Sequence, residues 1–594
     1  MKNMRRVGAV AGAAALALAA GCVSKDWTCP PWRKTGGTGL PSVGKTYWVD
    51  GAATNAADTN SGTADRPWKS LQRAGSAKEL QPGDAVLVRN GVYREALTIT
   101  VSGAPGRPLT FAAAPGAKVF VKGSELVPGP WARVSGDPAV KEPYPNAFQN
   151  VWKVQLGEEF FVDPPFAASY QDPATRFVSQ VFVNGRPLQR IGEDSIYPNE
   201  PYAKLRSVGR GLADLQDESF FFDPATQTLY LRIGGEPGWF VIEVGVRGHV
   251  LTLSGVHDVV VRGFDVRHNR MPAAQWSMAG LGGCERVVVE ACRFSGADFC
   301  GLGVAYSTNC VVRNCDLSWN GNTGLNLHVT ESCAVEDCTL FFNNYRRFHA
   351  GWHCGGMKNI PNNKRAVIRR CEVAYTFAGP GIWFDAGNAG IRIVDNVVHH
   401  NEDCGIFFEI NQAGGIIADN LVYANGGRGV YVSGSANTWV VNNTVVDNVG
   451  GIVAMPREDP FKLRDVRISN NVLVNNAVPA AGMQRGSDLT LYQEPDPAVR
   501  AAADNWSDYN VFGEGLFAPA MRPEWNTDHA LEQWRTKFGH DQHSTVLEVR
   551  YGYLGTGFCW LPVDGFAKPG PLPTDLKWRA ADPKHVGAAR TRWP

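Results

Sequence analysis

The chain lacks an excess of charge of either sign: 58 Lys and Arg stand against 57 Asp and Glu, a formal net charge of +1. A nucleic-acid-binding surface needs a large surplus of Lys and Arg, so this balance excludes that class. For a polyanionic partner it leaves only a local patch. Past the first two dozen residues no apolar run is long enough to span a bilayer. Thirteen cysteines are present but no C-x-x-C pair, which argues against a zinc site. With 44% hydrophobic and 19% charged residues, the composition is not that of a disordered chain. At 594 residues it is too long for one ordinary core unless a repeat extends that core. Gly 65 signals many tight turns, and Trp 18 supplies rings for a core or for stacking against sugars.

The first residues read as an export signal. Lys2, Arg5 and Arg6 precede "VGAVAGAAALALAA", and the run ends in "AAGC" at Cys22. This resembles the site at which a bacterial lipoprotein is cleaved and lipidated, with Ala19 in the place of the usual Leu and Leu18 one position early. The expectation is a signal over 1–22 and a mature protein in the periplasm or at the cell surface, anchored to the outer membrane by a lipid on Cys22 rather than by a spanning helix. Ordinary secretion is the alternative.

The organising feature is a repeat. In "VVVEACRF", "CVVRNCDL", "CAVEDCTL" and "AVIRRCEV" the inner cysteine falls at Cys292, Cys315, Cys338 and Cys371. Asn396, Asn420, Asn443 and Asn471 then hold the same place. The first steps are 23 residues (315 − 292 and 338 − 315), and 24 and 23 separate the first three Asn. Cys310 and Cys333 form a second column in register. Short Val/Ile strands at such a period, with Asn and Gly at the turns, are a solenoid signature. The Leu/Asn framework of leucine-rich repeats is absent, so the pattern predicts an all-β, right-handed parallel β-helix. Stacked Asn would hydrogen-bond along a ladder, and stacked Cys would fill the same slot as buried thiols, although a vertical disulfide stays open on distance.

This divides the chain into 23–125 (a cap, with a short helix from "RPWKSLQRA", and the first coils), 126–248, 249–480 and 481–594. In 126–248 the repeat vanishes, and "QVFVNGRPLQRI" and "ESFFFDPATQTLYLRI" predict antiparallel strands of an inserted β domain. Residues 249–480 hold at least eight coils. The last segment is irregular apart from a helix at "DHALEQWRTKF" and is expected to pack along or cap the solenoid.

Aligning the coils on the Gly that opens one strand gives "GLGVA" 301–305, "GLNLH" 324–328, "GWHCG" 351–355, "GIWFD" 381–385, "GIFFE" 405–409, "GVYVS" 429–433 and "GIVAM" 451–455. Positions two and four are apolar and must face the core; positions three and five then face outward. The outward columns become Gly303, Asn326, His353, Trp383, Phe407, Tyr431 and Ala305, His328, Gly355, Asp385, Glu409, Ser433. Asp385 and Glu409 stand one coil apart (409 − 385 = 24), so their carboxyls should lie about 5 Å apart, the separation of a retaining glycosidase. Carboxylates that close push their pKa values apart, giving a nucleophile and an acid. The bland reading is two solvated acids on a polar face.

The acid coils "GIWFD" and "GIFFE", with "AGWHCGG" upstream and the "FVNGRPLQR…LYLRI" insertion, resemble the β-helix β-xylosidases of glycoside hydrolase family 120. The likeness runs from about 46 to 480 and is sharp only at the acids. It implies a β-helix carrying a β-sandwich, with Asp385 as nucleophile and Glu409 as acid/base. It also implies sugar contacts from His353, Trp383, His328, Asn326, His349, Phe407 and Tyr431, with Trp352 structural. The insertion could wall the cleft and make action exo, with Trp131 and Tyr202 as further contacts. The expected partner is carbohydrate, with no cofactor and no metal.

Two alternatives stand beside this reading. A polysaccharide lyase needs a Lys, Arg or Tyr base near a uronate, and often Ca²⁺ held by clustered acids. Asp395, Glu402, Asp403 and Asp419 lie near the pair in sequence, and Arg346, Arg347, Lys358 and Arg428 could serve a uronate, but none of these bases falls in the outward columns of this alignment. A polygalacturonase is weaker still, since its Gly-His-Gly and paired-Asp signatures are absent. A non-catalytic surface β-helix that binds glycan is the other alternative.

Overall fold

A computed structural model describes residues 44–134, 150–161, 178–192, 208–270, 276–348, 353–476, 487–494, 496–513, 517–518, 530–546, 551–554 and 557–560. Cys22, Tyr202, His349 and Trp352 lie outside the described residues. Three faces of parallel strands coil around one core. One face is a 13-stranded sheet, one a 12-stranded sheet, and the third is made of a 4-stranded and an 8-stranded sheet. Each strand pairs with its equivalent one coil away, as in Val311↔Ala334↔Val367. Residues pointing inward, such as Leu302, Leu325, Met357, Ile382, Ile406 and Val430, are fully buried in one continuous core. The solenoid is therefore a parallel β-helix, and every coil buries its apolar wall only by stacking on its neighbours.

The corners explain the sequence repeat. Asn314, Asp337, Arg370, Asp395, Asp419, Asn442 and Asn470 all have φ between 51° and 63°, and six of the seven are the Asx residues that tolerate this region best after Gly. The next residue turns inward. There Asn396, Asn420, Asn443, Asn471 and Asn510 form a ladder in which each side chain takes the backbone N–H of the residue before it, as in Asn396 N to Asn420 Oδ1 at 3.0 Å. Cys371 joins the top of this ladder through its backbone N–H to Asn396 Oδ1 at 3.0 Å. The cysteines above it are buried thiols, each donating to backbone carbonyls, as Cys315 Sγ does to Arg313 O at 3.2 Å. The ten cysteines from Cys284 to Cys404 are free, and burial pushes the Cys292 thiol up to about 12. Two further ladders, Asn401–Asn425–Asn448–Asn476 and Asn363–Asn388–Asn411, brace the other corners.

The short helix Leu71–Gly75 covers the open end. Ser70 caps it by accepting the N–H of Arg73, and Leu71 and Ala74 are buried on the first coils. A Cβ on Gly75 would meet Thr98 O at 2.3 Å, so only glycine lets the helix lie this close.

After Ser124–Leu126 the chain leaves the helix and returns through Ile242–Gly245, with which that strand pairs antiparallel. Between them Val181–Val183 and Arg186–Pro187 form the hairpin, with Asn184 (φ 50°) and Gly185 (φ 79°) at its turn, and Ser219–Asp223 pairs antiparallel with Thr228–Arg232. This insertion has its own core of Val154, Leu156, Phe220, Leu229, Leu231 and Val244, among others. Trp131, half-buried, packs on that core. The insertion reaches the helix at Gln180, whose Nε2 donates to Asn269 O at 3.0 Å and Gly296 O at 3.1 Å. The solenoid also runs past the point where the repeat fades: Trp506–Asp508, Val511–Phe512 and Thr545–Val546 add rungs, and Trp534 of the helix Leu531–Phe538 is buried in the main core.

Candidate active site

The candidate site lies on the outward side of the 12-stranded sheet. Ile382–Asp385 and Ile406–Glu409 are adjacent parallel strands in full register, with Trp383 opposite Phe407 and Asp385 opposite Glu409. Residues opposite one another on neighbouring strands share a face and are separated by about 4.8 Å at the backbone. The two acids are therefore neighbours on one face, as their 24-residue spacing requires.

Beneath and beside them runs an aromatic ladder. Trp383, Phe407 and Tyr431 stack in succession, with centroids 5.0 and 4.9 Å apart and interplanar angles of 19° and 10°. The ladder is more than filler, because Trp383 touches Glu409 itself and the cation that pairs with Asp385. Its Nε1 donates to Glu409 Oε2 at 3.0 Å, and Lys358 Nζ lies 2.9 Å from its ring centroid. Lys358 Nζ in turn donates to Asp385 Oδ2 at 2.7 Å. The guanidinium of Arg457, from the loop after Gly450–Met455, pairs with Glu409 Oε1. Each acid thus has its own cation, one from a strand and one from a loop. Asp385 remains the more open acid (side chain 15% exposed), while Glu409 is 4% and Lys358 0% exposed.

Burial pulls the Lys358 ammonium down to about 8, against the opposing pull of Asp385, so it is a protonated, ion-paired lysine at neutral pH that titrates within reach of ordinary conditions. Asn326, one coil upstream, fixes the Lys358 backbone by donating Nδ2 to its carbonyl at 2.7 Å.

One coil departs from the sequence alignment. The strand is Gly355–Asn359, not 351–355, and its register is Met357↔Ile382, Lys358↔Trp383 and Asn359↔Phe384. Lys358 therefore occupies the outward place assigned to His353, and the expectation that no lysine or arginine base stands in these columns is overturned. His353 is buried instead: its Nδ1 donates to Asn322 Oδ1 at 2.8 Å, and Asn326 Nδ2 donates to its Nε2 at 3.4 Å. Burial and Lys358 hold its pKa well below the usual histidine range, so it is a neutral brace for the preceding loop with no free nitrogen for a sugar. Gly355 likewise leaves the outward column. The signal was present in the sequence: Cys371 to Asn396 is a step of 25 (396 − 371), and 25 before Gly381 is Gly356. Arg457 carried no signal in the repeat, because it reaches Glu409 from two coils downstream in a loop.

His328 stays in the outward column, two coils upstream of Asp385. Its Nδ1 donates to Ile360 O at 2.9 Å, which leaves Nε2 to accept from Tyr306 OH at 3.1 Å. The bases considered for a uronate are otherwise engaged: Arg347 pairs with Glu402 at 2.8 Å, Arg346 with the buried Asp298, and Arg428 lies 4.3 Å over the Tyr431 ring.

A family model described as "Right handed beta helix region" matches residues 277–445 and 359–493. Among solved structures the chain is similar to XylC, solved in complex with xylose: 15% identity, 86% of this chain and 88% of that one, TM-score 0.60. The fold is a right-handed parallel β-helix. A second similar structure, described as a glycoside hydrolase, shares 12% identity over 72% of this chain and 93% of that one, with a TM-score of 0.41. Among curated proteins, a segment of 72 residues is 32% identical to the uncharacterized protein YwoF of Bacillus subtilis (strain 168). That match spans 12% of this chain and 15% of the relative. At these identities the structural likenesses speak to the fold, and the chemistry has to be argued from the residues.

Proposed function

We propose that the protein is an exported glycoside hydrolase that cleaves plant or algal oligosaccharides or polysaccharides by a retaining double displacement, in the manner of a β-xylosidase. The observation that carries this reading is the pair Asp385 and Glu409 on adjacent rungs of one face, each with its own cation and both tied to Trp383. Asp385, the more exposed acid, attacks the anomeric carbon, and the glycosidic bond breaks as Glu409 gives its proton to the leaving oxygen. Glu409 then takes a proton from water, which attacks the same carbon and frees Asp385. Lys358 donates to one oxygen of Asp385 and aims it, leaving the other for the sugar. Arg457 pairs with Glu409 Oε1 and must leave that oxygen before Glu409 can carry the proton it donates. The likeness to XylC, solved with xylose, supports a carbohydrate substrate.

The test is a panel of aryl glycosides with wild type and Asp385→Ala, with the anomer first released followed by NMR. Net inversion, or turnover that survives in Asp385→Ala, rules the mechanism out. A second reading has one observation in its favour: Lys358 stands where a lyase base could stand. A base must be neutral, so a lyase using Lys358 would gain activity as pH rises through about 8 and would release an unsaturated uronate that absorbs in the ultraviolet. The ion pair with Asp385 favours the hydrolase at neutral pH.

A further inference from the structure

Upstream of Lys358 the same two outward columns change character. Position three passes through Thr252, Gly280 and Gly303 to Asn326, and position five through Ser254, Gly282 and Ala305 to His328, by the register of Leu251–Ser254, Ser277–Gly282, Cys300–Ala305 and Thr323–His328. No Lys, Arg, Asp or Glu occurs in these eight positions. The floor is flanked by two exposed rings. Tyr306, 66% exposed, ends the Cys300–Ala305 strand and is held by its hydroxyl on His328, with the two rings edge to face at 5.1 Å. Trp276, 48% exposed, precedes Ser277–Gly282 at the opposite margin and stacks on His249 at 5.4 Å, while His249 Nδ1 donates to Ser277 O at 3.0 Å. Two large aromatics left open to water, each with its orientation fixed by a histidine, are not needed by the core and form ready faces for sugar rings.

The glycines between them are not demanded by the fold. Gly280 and Gly282 are on extended strands, and a Cβ at either would meet nothing within 4 Å. At Gly303 a Cβ would meet only the Ser277 side chain. Glycine weakens a strand interior, and where neither φ nor packing requires it, it marks a place where something approaches the backbone closely.

We propose that this stretch is a binding platform for neutral sugar units of the same substrate chain, remote from the bond that is cleaved. It rests on the glycosidase reading and deepens it. The chain's remote units lie on the bare floor with Tyr306 and Trp276 at their sides, and His328 links the platform to the catalytic coils. Tyr306 stands three coils from Asp385 and Trp276 four, about 14 and 19 Å along the axis at the strand spacing. That reach serves an oligosaccharide, not a monosaccharide. The absence of charge selects neutral chains over polyuronates.

The experiment compares neutral β-linked disaccharides and hexasaccharides (xylo-, cello-, manno- and galacto-series) with oligogalacturonate, in wild type, Tyr306→Ala and the double variant Gly280→Val/Gly282→Val. The expected result is a hexasaccharide KM about fivefold below that of its disaccharide in wild type, lost in both variants, with kcat and the disaccharide KM unchanged. The valine variant should melt no lower than wild type, since valine favours a strand over glycine, so its loss is not unfolding. Equal KM for both lengths in wild type, or variants that shift both lengths alike, overturns the platform. If no glycoside is turned over, the glycosidase reading fails by itself. Calorimetric titration of the same hexasaccharides then decides: binding abolished by Tyr306→Ala upholds the platform, and no binding, or tighter binding of oligogalacturonate, overturns it.

Discussion

Lys358 Nζ lies 2.7 Å from Asp385 Oδ2, buried beneath the face from which the acid reaches solvent. An ammonium at this place is held below its ordinary value by burial, at about 8. The folded chain therefore releases this proton before the unfolded chain does. Between the two values the unfolded state binds more protons, so this group's contribution to stability rises with pH. Activity that needs the ammonium moves the other way. We expect kcat/KM to fall through about pH 8 with no loss of melting temperature attributable to Lys358, measured by parallel pH–rate profiles and thermal melts. An alkaline limb that rises instead would speak for the lyase.

Removing Asp385 has two separable consequences. Asp385→Asn should lower kcat about 10³-fold or more, because the nucleophile is gone. It also leaves Lys358 in the interior without its counter-charge, and breaking a buried pair costs about 3–5 kcal/mol unless the survivor gives up its charge. The double variant Asp385→Asn/Lys358→Met should recover most of that stability and none of the activity. Urea melts and kcat, read side by side, check this.

Trp383→Phe keeps the stack on Phe407 but removes the Nε1 donor to Glu409. We expect a loss of about tenfold in kcat, a shifted pH limb, and a stability loss of about 1.5–3 kcal/mol, as for one hydrogen bond to a charged group. An unchanged pH profile would show that Trp383 only packs.

The Asn ladder predicts a stability effect far from the site. In Asn420→Ala the buried backbone N–H of Asn396 loses its acceptor, while Asn443 Oδ1 keeps the backbone N–H of residue 420. The cost should be about 1–3 kcal/mol by urea denaturation, from the one buried donor left unsatisfied. Asn420→Cys should cost less, since a thiol fills this slot at Cys371 and above.

Acid should unfold the protein partly through its buried histidines. Burial holds His540 down at about 4, and His353 well below the usual range. Both have folded values below their unfolded ones, so the unfolded state takes up protons first. Their contribution is intact above the ordinary histidine value and is lost as pH falls below it, by about 2 kcal/mol for His540 at pH 5. His540→Gln should flatten that part of the stability–pH curve.

The fold was legible because its period is written twice, once in alternating apolar residues and once in the corner residue that recurs every 23 to 25 positions wherever no insertion lengthens the coil. Both follow from local rules: strand side chains alternate faces, and only Asn, Asp or Gly readily turn the corner. The same rules placed Asp385, Glu409, Trp383, Phe407 and Tyr431 on one face from their numbers alone. What local rules could not place was the coil after the longest interruption, where two glycine-opened segments, five residues apart, fitted the pattern. Tertiary pairing chose the second. It buried His353, brought Lys358 against Asp385, and let a loop from two coils away lay Arg457 on Glu409. Sequence period determines which residues share a face, but the charge each meets depends on which strands and loops close around it. That is a matter of packing across the chain, and only the assembled solenoid decides it.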